Sequence, residues 1–178
     1  SLNYGAIGVE LGQQIAYGFD YLGSKHDKTG TLRNWWQDED RSKFMEKKRC
    51  LADQYSAFRY DSVGLNVNGV LTQYENLADS GGLKDSFRAY KKLVAEKGEA
   101  SRLPGLGLTN DQLFFLGYAQ IRCEKVTDEA AKIVLLNHVR TLGRFRILGP
   151  LQNSVDFAQA YQCPAGSPMN PRKKCSVW

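Results

Sequence analysis

Histidine is nearly missing from this chain of 178 residues, which has only His26 and His138. Structural zinc sites take four protein ligands and catalytic ones usually three plus water. His26 lies in a polar turn-forming stretch and is expected to be exposed, and His138 with one carboxylate would still fall short of a site. There is no Cys-x-x-Cys pair among Cys50, Cys123, Cys163 and Cys175, so a metal knuckle or a thioredoxin-like redox motif is excluded. No apolar run approaches the roughly 18 residues of a membrane-spanning helix, and no charged, apolar, small-residue succession opens the chain. Internal repeats and low-complexity tracts are absent too. The net charge of +5 comes partly from Lys47-Lys48-Arg49 and Arg172-Lys173-Lys174. No aromatic residues interleave with these runs as they do in nucleic-acid platforms, so they read as solvated faces and no nucleic-acid partner is expected.

What is present suffices for one packed domain, since 42% of the residues are hydrophobic and single domains peak somewhat below this length. Most segments read as helix. Ile7, Leu11 and Ile15, spaced i, i+4, i+8, predict a buried face on a helix from about Tyr4 to Tyr17, with Gly18 placed to stop it. Asp27-Lys28-Thr29-Gly30 is a turn signal, and Asn34 is a candidate cap for a long helix running toward Phe58. A second core helix is predicted from about Leu71 to Ala95, across Gly81-Gly82. A loop at Pro104-Gly105-Leu106-Gly107 precedes Thr109-x-x-Gln112, a capping box for a helix ending near Cys123. Thr127 or Asp128 is placed to cap another into Leu136, and Asn153 or Ser154 to begin a short last one. Alternation with period two is rare, so any strands are expected from residues outside this chain.

The stretch Gln13-Gln14-Ile15-Ala16-Tyr17, followed by Gly18-Phe19-Asp20, has the frame of a His-Glu-x-x-His zinc-peptidase helix with every reactive group replaced. Its setting gives it weight: Asn3-Tyr4-Gly5-Ala6-Ile7-Gly8 before it, Tyr74-Glu75-Asn76-Leu77-Ala78-Asp79-Ser80-Gly81-Gly82 after it, then Phe145-Arg146-Ile147-Leu148-Gly149-Pro150-Leu151-Gln152-Asn153-Ser154, and Met169 to Trp178 at the close. These blocks, in this order, resemble the C-terminal catalytic portion of the neprilysin and endothelin-converting-enzyme family of zinc metallopeptidases. The resemblance covers essentially all of residues 1–178. It implies a mainly α fold, the C-terminal part of a thermolysin-like (gluzincin) neprilysin-type peptidase domain, carried as a piece of a longer chain.

By that resemblance Gln13 and Tyr17 stand where the two zinc-binding histidines belong, and Gln14 where the general base belongs. An amide is a weak donor for zinc, and a phenol with a pKa of about 10 is mostly protonated at neutral pH. Gln14 cannot take the proton of an attacking water as a carboxylate does. Glu75 matches the third ligand and Asp79 the carboxylate that orients a ligand histidine; their i, i+4 spacing puts both on one helical face. The family's transition-state-stabilising histidine falls on Arg140 and an associated aspartate on His138, while the arginine that grips the substrate carbonyl is kept as Arg146. Two apolar places of the S1' pocket fall on Glu10 and Arg122, which are expected to pair and fill or border that pocket. Without a dication, Glu75 must find a cation or hydrogen-bond donors, with Arg140, Gln13 and Tyr17 the candidates. The resemblance also implies a Cys50–Cys175 disulfide, with Cys123 and Cys163 bound to cysteines of absent segments; a Cys123–Cys163 bridge stays open.

The function implied is that of a neprilysin-like homologue without zinc or catalysis, with no cofactor, binding peptides or joining active neprilysin-like subunits. An alternative is an active zinc metalloendopeptidase whose ligands are completed by the missing N-terminal part or a companion chain; another is a structural or antigenic surface component. An extracellular or cell-surface location is expected, with any membrane anchor outside this chain.

Overall fold

The computed structural model describes residues 1–177. One 29-residue helix, α3 (Gly69–Lys97), organises the molecule. Asn68 caps it, its Oδ1 accepting from Leu71 N at 2.9 Å. The chain enters through a π-helical turn, Tyr4–Gly8, that runs into α1 (Val9–Tyr17). There follow α2 (Asp38–Ser56), a two-residue hairpin of β1 (Arg59–Tyr60) and β2 (Leu65–Asn66), then α3, α4 (Asn110–Gln120), α5 (Asp128–Asn137), α6 (Gly143–Asn153) and α7 (Val155–Ala160). The hairpin is antiparallel, with Arg59 opposite Asn66 and Tyr60 opposite Leu65, so this chain supplies a small sheet of its own.

Two apolar cores form. One joins Leu51 and Tyr55 of α2 to Leu77, Leu135, Phe145 and Val177. The other packs Val9 and Leu83 with Phe87, Phe114, Phe115 and Tyr118. Phe87 lies 5.0 Å from Phe114 and 5.1 Å from Phe115, edge-on to the first and stacked on the second, so α4 is fastened to α3 by aromatic contact. The capping box at the start of α4 is complete: Thr109 Oγ1 accepts from Gln112 N, and Gln112 Oε1 accepts from Thr109 N. Thr127 and Ser154 cap α5 and α7. The disulfide Cys50–Cys175 ties the tail to α2, while Cys123 and Cys163 are free thiols, so the Cys123–Cys163 bridge does not form.

The buried face of α1 is not the one expected. Ile7, Leu11 and Ile15 are 61%, 60% and 62% exposed, and the face that packs carries Val9, Gly12, Gln13 and Ala16. Backbone proximity is the reason. A Cβ on Gly12 would lie 2.9 Å from Gly82 Cα, and one on Gly82 would lie 2.6 Å from Gln13 N and Val9 O. Two helices that meet through glycines gain close packing that a leucine stripe would prevent.

Two further differences have local causes. Asn34 does not cap α2. That helix starts at Asp38 after Gln37, with Asp38, Glu39 and Asp40 in its first turn where the helix dipole favours acids, and Asn34 Oδ1 accepts from Arg41 instead. Helix α6 continues through Pro150, which normally ends a helix because it cannot bond to the carbonyl four residues back. Here that carbonyl belongs to Arg146 and accepts from Tyr118 Oη at 2.6 Å. An external donor replaces the missing one.

Candidate functional site

The Gly12–Gly82 crossing sets the site. It brings the next residue of α1, Gln13, and the following turn of that helix against α3, whose face here bears Glu75 and Asp79. Gln13 is buried, and its Nε2 donates to Tyr17 Oη at 3.2 Å, one turn along the same helix. Tyr17 Oη donates to Glu75 Oε2 at 2.6 Å. Arg140, from the segment between α5 and α6, donates through Nε to the same oxygen at 2.7 Å. Glu75 thus finds a guanidinium and a phenol directly, and Gln13 through Tyr17. Burial, then the hydrogen bond to Glu75, push the Tyr17 phenol up to about 12 against the opposing pull of Arg140. Gln14 is exposed.

One turn further along α3, Asp79 is fully buried between two arginines. Arg146 of α6 holds it with two hydrogen bonds, Nε to Oδ2 and Nη2 to Oδ1, both 2.8 Å. Burial alone would lower the Arg146 guanidinium, but the hydrogen bonds and charge of Asp79 outweigh it and raise it. Arg122 Nη2 reaches Asp79 Oδ1 at 3.1 Å and Glu10 Oε1 at 2.7 Å. Its guanidinium lies 4.5 Å over the Tyr118 ring, and its Nε and Nη1 are buried without hydrogen-bond partners. The expected Glu10–Arg122 pair is therefore present, with the arginine end buried and the glutamate end at the rim.

Residues 1–177 match the family model described as peptidase family M13. This chain belongs to peptidase family M13. Among curated relatives, M13 residues here are 48% identical to Neprilysin-2 of Caenorhabditis elegans and 46% identical to endothelin-converting enzyme 1 of Cavia porcellus, in each case over all of this chain. It spans 24% and 23% of those two proteins, about a quarter of their length. Among solved structures, it superposes on the Mycobacterium tuberculosis zinc metalloprotease Zmp1 in complex with inhibitor with a TM-score of 0.88 and 31% identity, over 99% of this chain and 28% of that one. For the Haemonchus galactose-containing glycoprotein complex the values are 0.92 and 33%, over 99% and 30%.

The zinc of an M13 metallopeptidase does not fit the donors found here. Among the described residues no three of the His, Cys, Asp or Glu type come together as a metal-holding group. Tyr17 turns its hydroxyl hydrogen toward Glu75, and a guanidinium already neutralises that carboxylate. Glu10, Glu75 and Asp79 are balanced one for one by Arg122, Arg140 and Arg146, which leaves no net negative charge to draw a dication. His138 is an exposed residue at the end of α5, and His26 is exposed with Nδ1 3.0 Å from Leu22 O.

Sequence reasoning missed Tyr118. Its hydroxyl holds the Arg146 backbone carbonyl and its ring lies beneath the Arg122 guanidinium, so it touches both residues that clasp Asp79. Its i, i+4 spacing to Arg122 was the available signal.

Proposed function

We propose that this M13 chain works by binding rather than by hydrolysis, as a zinc-free, catalytically inactive neprilysin-like homologue that holds peptides. The observation that carries this is the Gln13–Tyr17–Glu75–Arg140 chain of hydrogen bonds, which spends on one another the side chains that would have to ligate zinc. Activation of water by zinc brings its pKa down to about 7; neither a metal-holding set nor a base at Gln14 remains to replace that. Glu10 and Arg122 put a charged pair where active relatives offer an apolar S1' wall, so a bulky apolar side chain is disfavoured at that subsite. Arg146 stays available for a peptide carbonyl through Nη1, which carries no bond to Asp79.

The exposed stripe of Ile7, Leu11 and Ile15 supports a second role, in which this face packs against the rest of a longer polypeptide or an active M13 subunit. Cys123 and Cys163 are then available to cysteines of that partner segment. The Cys50–Cys175 disulfide favours an extracellular or cell-surface setting. Among the described residues no helix is long and apolar enough to cross a membrane.

Metal analysis of the purified full-length protein is expected to give far less than one zinc per chain, and peptides it retains in a pull-down are expected to stay uncut. Near-stoichiometric zinc that is lost in Gln13→Ala or Glu75→Ala would overturn the proposal in favour of an active metalloendopeptidase with ligands completed elsewhere.

A further inference from the structure

A carboxylate on a core helix, 15% exposed, needs a positive partner, and in this chain it has one supplied from within. We infer that Arg140 is a resident cation: its guanidinium does for Glu75 what a metal ion would do, and by occupying that place it keeps divalent cations out.

Arg140 Nε and Tyr17 Oη converge on a single oxygen, Glu75 Oε2, at 2.7 and 2.6 Å. The three groups come from α1, α3 and the α5–α6 segment, so the cluster joins one more chain segment than a metal held at positions 13, 17 and 75, which would join α1 and α3 alone. Two other carboxylates of the site are already matched. Asp79 is held by Arg122 and Arg146, and Glu10 by Arg122. A dication placed beside Glu75 would meet the Arg140 charge across a few ångströms. Glu75 is 15% exposed but the Arg140 side chain is 56% exposed, so the repulsion is stronger than in bulk water though partly screened by solvent. Loss of the histidines is therefore only half of the barrier to metal. Arg140 is the other half, and it acts whichever ligands stand at positions 13 and 17.

The inference rests on the zinc-free assignment above, and back-substitution separates the two. In the full chain, Gln13→His with Tyr17→His supplies two imidazoles beside Glu75. Zinc affinity is measured by competition with a chromophoric chelator at pH 7.4, in that double variant and with Arg140→Gln or Arg140→Lys added. Arg140→Gln is expected to tighten zinc binding at least tenfold, while Arg140→Lys, which keeps the charge, stays within threefold of the double variant. Equal affinities in the Gln and Lys forms, or no zinc binding in any of them, would overturn the inference and leave the zinc-free assignment of the parent untouched. A second readout needs no engineered ligands. The thermal midpoint of the parent is expected to be unmoved by a chelator and lowered by Arg140→Gln more than by Arg140→Lys. A midpoint that drops on chelation would defeat both proposals, and a Gln form as stable as the Lys form would defeat this one alone.

Discussion

Arg122 and Asp79 form an ion pair at 3.1 Å with both side chains out of solvent, 4% and 0% exposed. A buried pair of this kind adds little over an apolar replacement, but removing one partner leaves a charge stranded, at a cost of about 3–5 kcal/mol. The two partners are not equivalent. Asp79 also holds Arg146, so Asp79→Asn strands the Arg146 guanidinium and leaves Arg122 to Glu10 alone, whereas Arg122→Met leaves Asp79 still paired with Arg146. Asp79→Asn is expected to lose about 3–5 kcal/mol in urea denaturation, and Arg122→Met distinctly less. Equal losses would mean that Arg146 does not sustain Asp79 alone.

The Gly12–Gly82 contact carries its own expectation. A methyl at position 82 would run into Gln13 N and Val9 O, both backbone atoms that cannot turn aside. Gly82→Ala is expected to destabilise the fold by about 1–3 kcal/mol by overpacking, despite alanine's better helix propensity. The control is Gly98→Ala, at the exposed end of α3, where a Cβ meets nothing but φ is +80°. There the cost should be that of backbone strain alone, without the shift of α1 that near-ultraviolet circular dichroism of Gly82→Ala would report.

Helices announced by caps were legible. Thr109 with Gln112 declares its helix start by chemistry that is local in sequence, while Thr127 and Ser154 were each one of two adjacent candidates that the structure decides. The contacts of Glu75 were legible through the family resemblance, which put Arg140, Gln13 and Tyr17 beside it as candidates; Arg140 and Tyr17 reach it directly. The orientation of α1 was not legible. Hydrophobic period identifies an apolar stripe but not whether a neighbouring backbone comes so close that only glycine fits opposite it. Helix α6 was hidden by Pro150, since the donor that rescues it, Tyr118 Oη, lies on another helix.

The outward stripe of α1 gives a direct check of that reversal. A leucine in a core costs about 2–5 kcal/mol when truncated, yet Leu11 is 60% exposed. Leu11→Gln is expected to change the stability of the chain by no more than about 0.5 kcal/mol in urea denaturation. A loss of several kcal/mol would restore the stripe to the core.

The Cys50–Cys175 bridge closes a loop with a sequence separation of 125. In the chain-entropy account a loop of that size is worth about 4–5 kcal/mol. Cys175→Ser is expected to lose an amount of that order in denaturation midpoint, and reduction of the parent should reproduce it. Cys123→Ser, at an exposed free thiol, should leave the midpoint where it is.

Tyr17 sets a pH limit on the cluster around Glu75. An unfolded tyrosine titrates near 10, and in the fold its value is pushed up to about 12, first by burial and then by its hydrogen bond to Glu75. The fold therefore favours the protonated phenol. Its contribution is complete below about pH 10 and is lost as pH rises through the folded value, because over that interval the native state retains a proton that the unfolded state has released. Tyr17→Phe removes this contribution at every pH. The difference in thermal midpoint between parent and Tyr17→Phe should thus be level from neutral pH to about 9.5 and shrink toward pH 12. Burial also raises Tyr55 and Tyr118, but both are present in parent and variant alike and cancel in the difference. A difference that stays constant up to pH 12 would show that the Tyr17 hydroxyl does not donate to Glu75, and the carboxylate would then depend on Arg140 alone.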